Sequence, residues 1–250
     1  MDQPEASEKA VSSQTGGIEI GGKSLIFSLI FKSKKGRSPI LEISFYNEFK
    51  RKAIHLVAMS VPIGYFLLPK FPSLLILTPC ALVAIGIDVI RLRKLPLHGL
   101  LNQLIGPILR EHESNDFAGA SYILSASVFT ILLFEKSVAV AAISFIILGD
   151  IAAALIGRRF GKTKILWNVG NSQGNWNKIK SLEGSLSCFL FCILVALLVS
   201  HLPLLPSLPL WVGGIGALVA TMVEAAPLPI NDNFSVPLIS GLVMHILLRI

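Results

Sequence analysis

LGDIAAALIGRRFGKTK, residues 148–164, starts as a membrane helix and finishes as a basic loop. Asp150 follows a long uncharged run over 137–149, and the next cation along the chain is Arg158. A bare charge in such a run costs several kcal/mol, so something must compensate it. On a helix, Asp150, Ala153, Ala154 and Gly157 share one face, and the small residues let a second helix approach. Asp150 then lies about 10 Å along the axis from Gly157, at roughly 1.5 Å per residue. Two roles are open to it: a polar packing group satisfied by a neighbour, or a functional carboxylate offset by a divalent cation.

The surrounding chain supports the membrane reading. It has 250 residues, 53% hydrophobic and 15% charged, against about a quarter charged in soluble domains. The mean hydropathy is +0.70. Apolar residues come in blocks over 53–69, 72–90, 117–134, 137–157, 183–201, 208–226 and 236–250. This predicts an all-α integral membrane protein with about seven transmembrane helices. LPLHGLLNQLIGPILREHE, residues 95–113, has near-helical apolar spacing and predicts an interfacial amphipathic helix. Residues 1–38 read as a mobile basic tail without signal-peptide character, and 39–250 as the polytopic membrane domain. Within the tail, SLIFSLIF at 24–31 is too short to span and is expected on the membrane surface.

The net charge of +7 sits mostly in loops between apolar blocks, which argues for membrane orientation or anionic ligands rather than nucleic acid. Arg51, Lys52, Arg91, Arg93, Lys94, Arg110 and the cations from Arg158 to Lys180 fall on one side, with Lys70, Lys136 and Arg249 on the other. The richer side is expected in the cytoplasm. Asp88, Glu111, Glu113, Asp150, Glu183, Glu224 and Asp232 gather at that face, which places the predicted active site there. Cys80, Cys188 and Cys192 lie inside apolar segments and read as core residues.

Four loop-proximal stretches carry candidate chemistry. GRRFGKT, residues 157–163, is not a P-loop: three residues separate its glycines instead of four, and a helix precedes it. Gly157, Gly161, Lys162 and Lys164 still suit phosphate. In KIKSLEGS, residues 178–185, Ser181 can cap a helix and Glu183 suits its first turn. The same helix start offers N–H groups to a phosphate beside Lys178 and Lys180, and Glu183 is alternatively a metal ligand. EFKRKAIHL places Arg51 and His55 one turn apart with Lys52 adjacent, and NDNFSVPLISG places Asp232 and Asn233 at a helix start, where an N-cap also accounts for them.

RKAIH, GDIAAALIGRRFG, KSLEGS and DNFSVPLISG, in this order, resemble the CTP-dependent lipid-alcohol kinase family. It comprises the polyprenol/dolichol kinases, phytol kinases and CTP-dependent diacylglycerol kinases, and is related to the phosphatidate cytidylyltransferases. The resemblance covers roughly 45–250 and implies a membrane kinase that uses CTP and Mg²⁺ to phosphorylate a lipid hydroxyl. Its arginine–lysine pair matches Arg51 and Lys52, its aspartate Asp150, and the following glycine Gly157. Its KS-x-EG element matches Lys180, Ser181, Glu183 and Gly184, and its DN pair Asp232 and Asn233. Ile179 departs from the second lysine of relatives, and NVGNSQGNWN is a lengthened loop.

The resulting expectation assigns Asp150, Lys52 and Arg51 to catalysis and Asp150, Asp232 and Glu183 to metal. Gly157, Gly161, Lys162, Lys164, Lys180, Ser181, Gly184 and Asn233 are assigned to the nucleotide. The expected partners are CTP, a lipid alcohol and the bilayer. Two other readings are phosphatidate cytidylyltransferase, whose D-R-[hydrophobic]-D run has no counterpart here, and an ion-coupled transporter, which would want charges near the bilayer midplane.

Overall fold

The computed structural model describes residues 55–105, 116–165 and 180–250. The N-terminal tail, Arg51, Lys52, part of 95–113 and the NVGNSQGNWN loop lie outside the described residues. The chain is mainly helical. In order come α1 (His55–Leu67), α2 (Lys70–Leu92), α3 (His98–Ile105), α4 (Gly119–Leu133) and α5 (Lys136–Phe160). A two-stranded antiparallel ribbon, β1 (Lys164–Ile165) with β2 (Lys180–Ser181), leads into α6 (Leu182–His201), α7 (Leu210–Ala225) and α8 (Asp232–Leu247). The ribbon is a small departure from the all-α expectation.

Each of the seven predicted apolar segments forms a helix. Helices α2, α5 and α6 are long and apolar enough to cross a bilayer, whereas α1, α4, α7 and α8 are shorter apolar helices. The molecule is a membrane protein. Helix α3 occupies eight residues of the predicted interfacial stretch.

Burial sorts the helices. The apolar window of α5 is 61% buried and that of α2 only 22%. Every residue from Ser137 to Ile147 is buried, as expected of a helix apolar all round and enclosed by others. Helix α5 packs against α1, α4, α6, α7 and α8 and is the axis of the fold. Outward-facing Leu75, Leu82, Leu133, Leu190 and Leu194 are exposed, the pattern of a lipid-facing surface. Hydroxyls in α4 satisfy themselves on the preceding turn: Ser125, Ser127 and Thr130 donate to the carbonyls of Ser121, Ile123 and Ala126 at 2.7, 2.7 and 2.6 Å. That removes the penalty of polar groups in an apolar setting.

One end of the bundle is closed by apolar and local contacts. Lys70 Nζ donates to the Leu132 carbonyl at 2.8 Å, Lys136 lies 5.6 Å from the Tyr65 ring, and His245 packs 5.7 Å from Phe134. Asp88, Lys180, Glu224 and Asp232 lie at the opposite ends of their segments, and Asp150 lies ten residues before the end of α5.

Three local expectations need correction. Cys188 and Cys192 are buried, but Cys80 is exposed on α2, because that peripheral helix turns much of its surface outward. Arg91, expected among solvent-facing cations, is only 4% exposed since it pairs with Asp88 inside the bundle. Helix α8 begins at Asp232, where a helix start was expected, but the capping residue differs. Its cap is Asn231, whose Oδ1 accepts the Asn233 N–H at 3.0 Å, so neither Asp232 nor Asn233 fills that role.

Candidate active site

The site is built where α5 and α6 cross. Ser181 caps α6 as expected: its Oγ accepts the Gly184 N–H at 3.1 Å. A Cβ at Gly184 would lie 2.9 Å from the Ala153 carbonyl oxygen and 3.2 Å from Gly157 Cα. The small-residue face of α5 and the glycine of KSLEGS are therefore two sides of one close contact. The ribbon reinforces it, pairing Lys164 with Ser181, and the Leu182 N–H donates to the Thr163 carbonyl at 2.9 Å. Both Glu183 carboxylate oxygens accept the Thr163 N–H, at 3.1 and 3.3 Å. Glu183 thus ties the turn after α5 to the start of α6.

This crossing brings Lys180 against the end of α7. Its ammonium donates to the Glu224 carbonyl and lies 2.6 Å from Glu224 Oε1 and 3.8 Å from Asp232 Oδ2. The Glu224 carboxylate interacts electrostatically with both Asp150 and Asp232. On the other flank of Asp150, His55 Nε2 from α1 stands 3.6 Å from its Oδ2. Four helices and the ribbon thereby converge three carboxylates, one ammonium and one imidazole. Asp150, Asp232, Lys180 and His55 each keep between 13 and 18% of the side chain exposed, so a ligand can reach groups that are otherwise enclosed.

Of the expected site residues, Asp150, Asp232 and Lys180 are brought into this cluster. Gly157, Ser181 and Gly184 form the adjoining helix crossing. Gly161, Lys162 and Lys164 are exposed on the following turn. Asn233 is buried, and its Nδ2 donates to the Gly119 carbonyl at 3.4 Å, joining α8 to α4. Arg51 and Lys52 lie outside the described residues. Two cluster members were not assigned from sequence: Glu224, an acid at the end of an apolar block, and His55, read as a flanking polar group. An isolated ionisable residue at a membrane-helix end is itself a site signal, and Glu224 carried it.

The donor set suits a hard cation. Glu224 Oε2 is buried and has no hydrogen-bond partner, and its neighbours are carboxylates, the ligand type that magnesium prefers. Among the described residues no three acidic, histidine or cysteine side chains form a ready cage. Magnesium is commonly bound by one or two carboxylates together with substrate phosphates, so a protein cage is not required.

Comparison with known proteins bears on this geometry. No family model matches the chain, and no solved structure matches it. A CTP-dependent diacylglycerol kinase of Schizosaccharomyces pombe is 28% identical over 64% of this chain and 74% of its own length. The phytol kinase 1 of Arabidopsis thaliana is 26% identical over 92% of this chain and 74% of its own. The chain is a homologue of the phytol kinases and CTP-dependent diacylglycerol kinases. An uncharacterised protein of Rickettsia prowazekii is 28% identical over 76% of this chain and 90% of its own length. A probable phytol kinase of Zea mays is 26% identical, and the match spans 66% of that protein. Both named branches of the kinase homologues were among those the four sequence motifs resembled.

Proposed function

We propose that this protein is a CTP-dependent kinase that moves the γ-phosphate of CTP onto the hydroxyl of a membrane lipid alcohol. Among phytol, diacylglycerol and polyprenol, the names of the homologues favour the first two. The observation that carries the reading is the cluster at one end of an apolar helix bundle in which Glu224 and Asp232 flank Lys180 and Asp150 stands beside His55. In this reading seven helices cross the bilayer and the cluster faces the cytoplasm, as the cation asymmetry favours.

Phosphoryl transfer demands positioning and charge neutralisation more than covalent help from the protein. Asp150 and Asp232 would hold Mg²⁺, which when bound neutralises charge on the transferring phosphate. Lys180, already aimed between two acids, neutralises a phosphate oxygen. The α6 start contributes its positive helix end to the phosphate, while Gly157 and Gly184 let α5 and α6 close together beneath it. Gly161, Lys162 and Lys164 on the exposed turn, and Arg51 and Lys52 ahead of α1, supply further positive charge. Glu183 holds the turn, and Asn233 holds α8 in place. The alcohol oxygen bonds to the γ-phosphorus as the bond to the bridging oxygen breaks. CDP leaves, and the alcohol proton passes to the Asp150 carboxylate.

The test is purified protein given γ-labelled CTP, Mg²⁺ and a panel of lipid alcohols, with phosphatidate included. Label in a lipid phosphate with release of CDP is the expected result. Pyrophosphate release with a cytidylylated lipid, or ion flux in liposomes without CTP, would replace this reading with one of its two rivals.

A further inference from the structure

Between α1, α5 and α6 runs a groove of about 170 Å³ whose exposed wall is wholly apolar. Met59, Ile63 and Phe66 form one side, Ser144 and Leu148 the floor, and Leu198 part of the opposite side. For scale, an engineered apolar cavity of about 150 Å³ admits benzene, so this space accepts a segment of hydrocarbon. Its rim is open on the lipid-facing surface, where Ile63 is 51% and Leu198 59% exposed. Its position is the informative feature. Met59 follows His55 by four residues and Leu148 precedes Asp150 by two. Along the helix axes the groove therefore ends within about one turn, ~5.4 Å of rise, of the level of the His55–Asp150 pair.

We infer that this groove holds the hydrocarbon chain of the acceptor alcohol next to its hydroxyl end, with the hydroxyl at His55 and Asp150. The inference rests on the kinase reading and names where its acceptor sits. An apolar trough fits a chain and leads to a polar pair that fits a hydroxyl, which is the division of labour expected in a ligand site. An ordinary phospholipid would carry a charged phosphodiester into a cluster already rich in carboxylates. A neutral alcohol carries none. Only a short segment of chain fits, and the remainder stays in the bilayer through the open rim. Selection then acts on the chain's first carbons rather than on its full length.

The experiment uses the full chain in liposomes and a long-chain alcohol bearing a diazirine near the hydroxyl. Photolabel should fall on α1 and α6, and excess unlabelled alcohol should compete it away. Ile63→Trp and Leu198→Trp bring bulk in from the exposed rim without disturbing buried packing, and should cut labelling at least ~10-fold. They should raise KM for the alcohol by a similar factor and leave KM for CTP unchanged. Label on other helices, equal labelling of the rim variants, or equal labelling by a diazirine phosphatidylcholine that the alcohol does not displace would overturn the assignment. Wild-type protein that transfers phosphate but labels elsewhere loses the groove and keeps the kinase reading. Protein that labels in the groove yet never transfers phosphate keeps the groove and loses the kinase reading.

Discussion

Two acidic centres stand at the same end of the bundle and differ in how completely they are satisfied. Asp88 is 3% exposed. Its Oδ1 lies 3.1 Å from Arg91 Nη2, and its Oδ2 accepts the Ala118 N–H at 2.9 Å and the Ser121 hydroxyl. Arg91 also donates to the Asp116 carbonyl. Both Asp88 oxygens are engaged, so this centre pins α2 to the start of α4. The second centre has three carboxylates against Lys180 and the His55 imidazole, and Glu224 Oε2 has no hydrogen-bond partner. Burial is common to both. Among the described residues the second centre gathers three carboxylates near a single lysine, and such a grouping suits a cation or a cationic ligand.

The comparison is broken most sharply at Asp88. Asp88→Ala removes the carboxylate of a buried ion pair and the acceptor of the Ala118 and Ser121 hydrogen bonds, and removing one partner of a buried pair typically costs about 3–5 kcal/mol. Thermal stability in detergent should fall accordingly, while turnover per folded molecule stays within about twofold of wild type. A specific loss of turnover in a protein of normal stability would make the two centres alike.

Lys180 gives the next effect. Lys180→Met should lower kcat/KM for CTP by about 10²-fold, the scale of removing one preorganised charge contact to a reacting phosphate. It should also destabilise the fold by leaving Glu224 uncompensated. Adding Glu224→Gln should restore stability but not CTP use. Full recovery of both in the double variant would reduce Lys180 to a structural partner.

The smallest effect is expected at the helix crossing that supports the second centre. Gly184→Ala places a methyl group 2.9 Å from a backbone carbonyl that cannot easily withdraw, and overpacking of this kind costs about 1–3 kcal/mol. Because the crossing sets where Lys180 lies, KM for CTP should rise along with the loss of stability. Unchanged thermal midpoints would show that α5 and α6 can part without penalty.

How much of this was legible depends on what hydropathy reports. Apolar blocks located the seven apolar helices because length and burial are written in composition. The ends were less exact, since a cap such as Asn231 acts through a single hydrogen bond that hydropathy does not report. Asp232 and Lys180 were recognisable as charges at a helix start, and Asp150 as a lone acid inside an apolar helix. Their neighbours were not all assigned. Which helix stands beside Asp150 is a packing outcome, so the proximity of His55 had no signature in either segment. Asp88 and Arg91, three residues apart on one helix, were readable as a pair in principle. Hydropathy places Arg91 at a membrane edge, and only its tertiary bond to the Asp116 carbonyl and the contacts of Asp88 with Ser121 and Ala118 show the pair turned inward.

The most direct test compares wild-type protein with Asp150→Asn in CTP-dependent lipid phosphorylation across a Mg²⁺ titration, with thermal stability measured on the same samples. Asparagine preserves shape and removes charge. The account predicts that phosphorylation falls at least ~10³-fold at ordinary Mg²⁺, with stability equal to or above wild type because a neutral amide is easier to bury. Near-normal turnover at ordinary Mg²⁺ would contradict the metal-binding role of the cluster.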